Sequence, residues 1–233
     1  MRSGDRRMLE EINRVVCDSV SDIHFVYHKN YKQKLLKENI PSKNVHVVGN
    51  TIVEVIKKES FPPKTSEHIL VDIHRPENFL DKNRMENLLS YLKYYKDMGV
   101  PVLFLEFPRT VKKLIEHQLY EKYKQICIML PLQTFAEYLR MCRRSCFLVS
   151  DSGTGQEEPA LIDVPVIVPR DYTERPESMQ NYCSIMLDIN RPFCNKQNNK
   201  INKFLKFYLK KKKTSWMGTG NTSDKIIQVL KKL

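Results

Sequence analysis

No apolar run in the 233-residue chain approaches the length that spans a bilayer, and Ile126 to Leu130 is among the longest. The opening Met1-Arg-Ser-Gly-Asp-Arg-Arg7 is charged but has no apolar run behind it, so it does not read as a secretory signal. A soluble, cytoplasmic chain is the expectation. Paired cysteines are also lacking: of Cys17, Cys127, Cys142, Cys146, Cys183 and Cys194, only Cys142 and Cys146 are close in sequence, and the nearest histidine is His117. A structural zinc needs four ligands at short paired spacings, so reduced thiols are expected, without metal or disulfides. Acids are missing from Ile189 to Ser223, where Arg191, Lys196, Lys200, Lys203, Lys206, Lys210, Lys211, Lys212 and Lys213 supply nine of the twelve net positive charges. The basic character is therefore local, which weakens a nucleic-acid reading of the net charge. What is present, 41% hydrophobic and 9% aromatic residues, is enough to bury a core and excludes wholesale disorder and collagen.

Short β-rich runs alternate with stretches of helical spacing, the pattern of a parallel sheet with crossover helices. Strands are expected at Ile23–Tyr27, Val45–Val48, Ile69–Ile73, Val102–Leu105, Ile126–Leu130, Phe147–Ser150, Val166–Val168 and Ser184–Leu187. Helices are expected at Glu10–Ser19, Tyr31–Glu38, Arg84–Lys96, Thr110–Lys122, Phe135–Arg143 and Gln156–Ile162, with apolar positions recurring at three and four, as in Met85, Leu88, Leu89 and Leu92. The class is α/β. Residues 59–67, around Pro62-Pro63, read as a linker; residues 68–188 have the size of one doubly wound domain; residues 189–233 read as a basic loop and C-terminal helices. Residues 1–58 are too few for a comfortable core and read as the end of a larger domain.

Three polar segments follow strands. His74-Arg-Pro-Glu-Asn78 packs an imidazole, a guanidinium and a carboxylate beyond a strand end, where open parallel sheets bind ligands, but a helix-capping turn has the same composition. Ser150-Asp-Ser-Gly-Thr-Gly-Gln-Glu-Glu158 offers glycines, hydroxyls and a helix start that suit a phosphate, although it lacks the Lys-Ser/Thr ending of a Walker loop and ordinary capping explains it nearly as well. Arg170-Asp-Tyr-Thr-Glu-Arg-Pro-Glu177 alternates two arginines with acids and suits either ligand contact or a solvated loop. Consecutive crossover units place all three on one sheet edge, which favours a shared polar site.

Together with Val48-Gly-Asn-Thr51, Arg2 to Arg14 and Gly218-Thr-Gly-Asn-Thr-Ser223, these segments make the chain resemble the non-hydrolysing UDP-N-acetylglucosamine 2-epimerases along essentially its whole length. The resemblance implies Rossmann-like domains of GT-B type and interconversion of UDP-N-acetylglucosamine and UDP-N-acetylmannosamine by elimination and re-addition of UDP, with no metal, nicotinamide or other cofactor. It implies catalytic roles for Glu10 and His74. Ser152, Gly153 and Thr154 would bind the diphosphate, Glu158 the ribose hydroxyls and Phe135 the uracil, with Arg175 facing phosphates and sugar. Arg75 and Glu77 match an activator site of some bacterial relatives.

Departures accompany the match. The family's Gly-Thr-Arg-Pro-Glu loop, an Asp and a further Glu have no counterpart in these residues, and Met1 falls where the family pattern continues upstream. Leu9 replaces a proline at a helix start, and Phe107 stands where relatives usually carry histidine, which puts the activator site in doubt. The expectation is a UDP-binding part with little or no epimerisation by itself. Possible partners are UDP or a UDP-N-acetylated amino sugar, a second copy, or a separate N-terminal half acting in trans; no membrane is expected. A basic nucleic-acid-binding module is the remaining alternative.

Overall fold

The computed structural model describes residues 2–6, 8–210 and 216–232. In chain order the elements are α1 (Leu9–Ser19), β1 (His24–Val26), α2 (Lys29–Lys37), β2 (Val45–Val47), α3 (Ile52–Lys58), β3 (His68–Asp72), α4 (Pro76–Phe79), α5 (Lys82–Asp97), β4 (Val102–Leu105), α6 (Pro108–Glu116), α7 (Tyr120–Ile126), β5 (Ile128–Leu130), α8 (Phe135–Arg144), β6 (Ser145–Ser150), α9 (Glu158–Leu161), β7 (Val166–Val168), α10 (Pro176–Gln180), β8 (Ser184–Met186), α11 (Asn195–Tyr208) and α12 (Thr222–Leu230). Two compact units divide the chain. The larger holds residues 61–173 and 178–213; the smaller holds 1–60, 174–177 and 214–233. The C-terminal stretch from 189 is thus shared between them.

The larger unit is built on a six-stranded, wholly parallel sheet of order β5-β4-β3-β6-β7-β8. Its central strand β3 is buried at every position, as expected for a strand covered on both faces by crossover helices. Met85, Leu88, Leu89 and Leu92 of α5 pack in the core with Ile69, Val71, Val149 and Ile167 of the sheet. Burying each such side chain contributes roughly 1.5–3 kcal/mol. Helix α11 closes this core with Ile201, Phe204 and Tyr208, while Lys196, Lys200, Lys203 and Lys206 on its other face are exposed. Lys211, Lys212 and Lys213 lie outside the described residues.

Every expected strand is present; Val102–Leu105 and Val166–Val168 keep the expected bounds and the others shift at one or both ends. The expected helix Thr110–Lys122 is two helices, because Gln118 between α6 and α7 takes a φ of 61°. Ile126 ends α7, so the strand expected from there begins at Ile128. The expected helix Gln156–Ile162 is a 3-10 turn, Thr154–Gln156, followed by the four-residue α9. Pro159 lacks an N–H to donate in its second position, and Asp163, at φ 57°, follows its end.

In the smaller unit β1 and β2 pair in parallel, and Val26, Tyr31, Leu35 and Val45 form the core between this pair and α2. Arg2, 3% exposed, donates to Glu11 at 2.9 Å, Asp18 at 2.9 Å and Glu38 at 2.8 Å, tying residues before α1 to both helices. The other side of α1 exposes Leu9, Ile12 and Val16, continued by Val20. The Gly49-Asn-Thr51 and Gly218-Thr-Gly220 segments meet: the Asn50 N–H donates to the Met217 carbonyl at 2.7 Å.

Gly218 sits at φ 102°, and a Cβ there would lie 2.9 Å from the Gly49 Cα. Gly218→Ala is expected to destabilise the chain by about 1–3 kcal/mol through left-handed strain and backbone contact, read from its denaturant midpoint. An unchanged midpoint would refute the close approach.

Candidate functional site

The larger unit's strand order reverses between β3 and β6: the chain runs outward through β4 and β5, then returns to β6 and proceeds through β7 and β8. Open α/β sheets bind ligands in the crevice beyond the carboxyl ends at such a reversal. The loops after β3, β6 and β7 carry the first two polar segments and the start of the third, as the strand reading anticipated.

Asp151, immediately after β6, is fully buried. Its Oδ1 accepts from the His74 N–H at 3.0 Å, and its Oδ2 accepts from the Arg75 N–H at 3.1 Å and from Asn78 Nδ2 at 2.8 Å. Asn78 Nδ2 also donates to the Pro169 carbonyl after β7 at 2.9 Å, and Arg84 donates to Asn78 Oδ1 through Nε at 3.1 Å and Nη2 at 2.9 Å. One buried carboxylate and one buried amide thus join the three loops. Burial pushes the Asp151 carboxyl up from its ordinary range, against the pull of His74 and the N–H donors.

The His74 ring is held from the strand beneath it. Nδ1 lies 2.8 Å from Asp72 Oδ1 and 3.6 Å from Asp151 Oδ1, and the ring packs on Phe107 with centroids 4.9 Å apart. Burial disfavours the imidazolium, but the Asp72 hydrogen bond and the charges of Asp72 and Asp151 outweigh burial and the repulsion of Arg75, so the His74 pKa is raised. Asp72 Oδ2 accepts from Tyr138 at 3.2 Å and Ser150 at 3.3 Å. Asp72, His74 and Asp151 place ligand-type atoms within 4.8 Å of one another, yet the carboxylates already receive N–H and O–H donors, so the trio is built as a hydrogen-bonded acid–imidazole cluster.

The loop after β6 folds back on itself. Ser150 Oγ accepts from the Ser152 N–H at 3.0 Å, and the Ser152 and Thr154 hydroxyls lie 3.1 Å apart. Gly155 is required by packing within the loop, since a Cβ there would lie 2.5 Å from Ser150 Oγ. Glu158, 9% exposed, begins α9. Phe135, 43% exposed, begins α8 after the Thr134–Glu137 capping box. The resemblance paired Glu77 with Arg75 in an activator site; here Glu77 accepts from Arg170 at 2.7 Å and from Tyr172 at 3.3 Å.

Glu10 and Arg175 belong to the smaller unit. Glu10 is half-buried on α1, beside Glu11, which is 1% exposed and accepts from Arg2 and from the N–H groups of Ser3 at 2.8 Å and Gly4 at 2.9 Å. The segment after β7 is not a solvated loop: Arg170, Glu174, Arg175 and Glu177 are buried. Glu174 accepts from Arg14 at 2.9 Å, and Glu177 accepts from the Tyr31 hydroxyl at 2.6 Å. Asn78 closes the first polar segment, whereas Asp72, Arg84 and Tyr138 were not singled out in the sequence. The one available signal was a carboxylate ending the otherwise apolar Ile69–Val71 run.

Fold and site define a parallel-sheet α/β protein with a hydrogen-bonded cluster of polar loops at the reversal of its sheet. The chain belongs to the UDP-N-acetylglucosamine 2-epimerase family, whose sequence profile matches residues 1–231. It is 31% identical over 251 residues to the UDP-N-acetylglucosamine 2-epimerase of Methanocaldococcus jannaschii, covering 99% of this chain and 66% of that protein. It is 33% identical over 208 residues to the enzyme of that name from Methanococcus maripaludis, covering 80% of this chain and 56% of that one. The crystal structure of the M. jannaschii enzyme in complex with UDP-GlcNAc and UDP matches with a TM-score of 0.83 at 30% identity, covering all of this chain and 67% of that one. The chain therefore spans about two thirds of the first relative's length and less of the second's. Among the described residues no helix is long and apolar enough to cross a membrane.

Asp151→Ala removes the acceptor of three donors, one of them the buried Asn78 amide. It is expected to cost about 2–4 kcal/mol of stability, measured by denaturant unfolding. A loss below about 0.5 kcal/mol would mean that the donors find other partners.

Proposed function

We propose that the larger unit binds the UDP moiety of a UDP-N-acetylated amino sugar and that the chain serves the interconversion of UDP-N-acetylglucosamine and UDP-N-acetylmannosamine. The observation that carries this reading is the joining of the loops after β3, β6 and β7 by Asp151 and Asn78 at the reversal of the sheet, in a chain of this family. Ser152, Gly153 and Thr154 bind the diphosphate through hydroxyl and backbone donors. Glu158 accepts from the vicinal ribose hydroxyls, Phe135 packs on the uracil, and His74 faces the sugar–diphosphate linkage. Glu10 and Arg175 are assigned by resemblance, as an acid/base carboxylate and a phosphate-facing cation. In this reaction a base takes the C2 proton as UDP leaves with the C1–O bond electrons; the proton and UDP then return with C2 inverted.

Calorimetric titration with UDP tests the binding part. Ser152→Ala and Glu158→Ala are each expected to weaken UDP by about tenfold or more, since each removes hydrogen bonds to a charged or polyhydroxylated group. A folded chain that binds no UDP would overturn the reading.

A second reading, completion of the catalytic site by a part of the family fold that is not among these 233 residues, is favoured by the exposed Leu9, Ile12, Val16 and Val20. The 233 residues contain no match to the family's Gly-Thr-Arg-Pro-Glu loop, so the purified chain is expected to show little or no turnover of UDP-N-acetylglucosamine. Co-expression with the N-terminal third of the M. jannaschii relative is expected to raise turnover at least tenfold. Full turnover by the chain alone, or no gain on co-expression, would count against this second reading.

A further inference from the structure

We propose that Asp72 is a positioning residue of this site, fixing the His74 imidazole in the Nδ1–H tautomer and turning Nε2 toward the diphosphate of the bound nucleotide. The inference deepens the UDP-binding reading above and rests on it. Three observations carry it. Asp72 Oδ1 lies 2.8 Å from His74 Nδ1, and no protein partner meets Nε2 among the described residues, although the side chain keeps 31% of its surface exposed. Asp72 is itself held by two donors from different elements, Ser150 at the end of β6 and Tyr138 of α8. Finally, the backbone carrying the imidazole is pinned independently, by the His74 and Arg75 N–H groups on Asp151. In this orientation of the ring Nδ1 is occupied and Nε2 remains for a ligand.

The charge follows from the same arrangement. Asp72 and Asp151 face His74 from β3 and from the end of β6, Arg75 opposes them from the same turn, and Phe107 adds an uncharged face. The two carboxylates favour the imidazolium, whose Nε2–H donates to an anionic oxygen with a charge-assisted hydrogen bond. Because the folded-state pKa is raised, the cation is present below its midpoint and is lost as pH rises through it. Binding of a diphosphate gains from His74 on the acid side of that midpoint.

Two-bond 1H–15N correlation spectra of the labelled 233-residue chain, with His74→Gln to assign the resonance, test the assignment directly. Neutral His74 is expected to carry its proton on Nδ1, and its midpoint is expected to lie above the ordinary imidazole value of about 6.5. UDP affinity is expected to fall about tenfold as pH rises through that midpoint, a step that His74→Gln lacks. Asp72→Asn, which keeps the shape and removes the charge, is expected to lower the midpoint and move the affinity step to lower pH with it. Protonation of neutral His74 on Nε2 in the unsubstituted chain overturns the proposal without any variant at Asp72. An unchanged midpoint in a folded Asp72→Asn protein overturns it as well. Failure of UDP to bind at any pH, with the titration as expected, would instead remove the nucleotide reading and leave the Asp72–His74 coupling measured.

Discussion

A single buried carboxylate holds the polar crevice together. Asp151 has no exposed surface and lies where the sheet's strand order reverses, so its desolvation cost must be met from inside the protein. Two backbone N–H groups of the turn after β3 and the side chain of Asn78 meet it, and Asn78 continues to the carbonyl of Pro169 after β7. Arg84 in turn fixes which way Asn78 faces, by donating twice to its oxygen. Remove the carboxylate, and three donors around it lose their acceptor while the turn bearing His74 loses its anchor. Complete burial outweighs the charge of His74 and the hydrogen bonds of these donors, so the Asp151 carboxyl is pushed up.

On this frame the ligand-facing chemistry is small and local. The loop after β6 spends its polar capacity first on itself, through Ser150 to the Ser152 N–H and through the Ser152–Thr154 pair, which fixes its path while leaving one hydroxyl of that pair its O–H to donate to a ligand. Gly155 contributes by absence of a side chain: its backbone packs against Ser150, so the glycine-rich stretch serves internal fit as much as approach to a phosphate. The short α9 offers little of a helix dipole, so hydroxyls and individual N–H groups must carry more of the binding of an anion than the sequence pattern suggests.

The sheet was legible in the sequence because its signals are local. Ile69–Val71, Val102–Leu105 and Val166–Val168 are apolar and β-branched runs bounded by turn residues, and Met85, Leu88, Leu89 and Leu92 repeat at helical spacing. Element ends were less legible because they depend on single conformations, such as the positive φ of Gln118, which no propensity specifies. In the site, His74, Ser152 and Glu158 stood out because they fall in motif-like segments after strands. Asp72 and Tyr138 did not, and the role of Asn78 within its segment was not visible, because these roles arise from pairings between elements: Tyr138 meets Asp72 across 66 positions of sequence, and Asn78 meets Asp151 across 73. The charged stretch through Glu177 was ambiguous for the same reason, since only the fold shows Glu174 against Arg14 and Glu177 against Tyr31.

Net charge and binding chemistry are separated in this chain. The basic excess is concentrated beyond Ile189, and within α11 the lysines stand on the solvent side of a helix whose Ile201, Phe204 and Tyr208 join the core. Such a face needs no polyanion to account for it, because an amphipathic helix must place polar residues on its wet side. The site, by contrast, sets its few charges among opposing ones: Arg170 on Glu77, His74 between Asp72 and Asp151. A cation balanced in this way adds little long-range attraction, but its direction is fixed before a ligand arrives. Discrimination at the crevice therefore depends on where individual donors point, and Asp151 and Asn78 set that by holding the three loops in register.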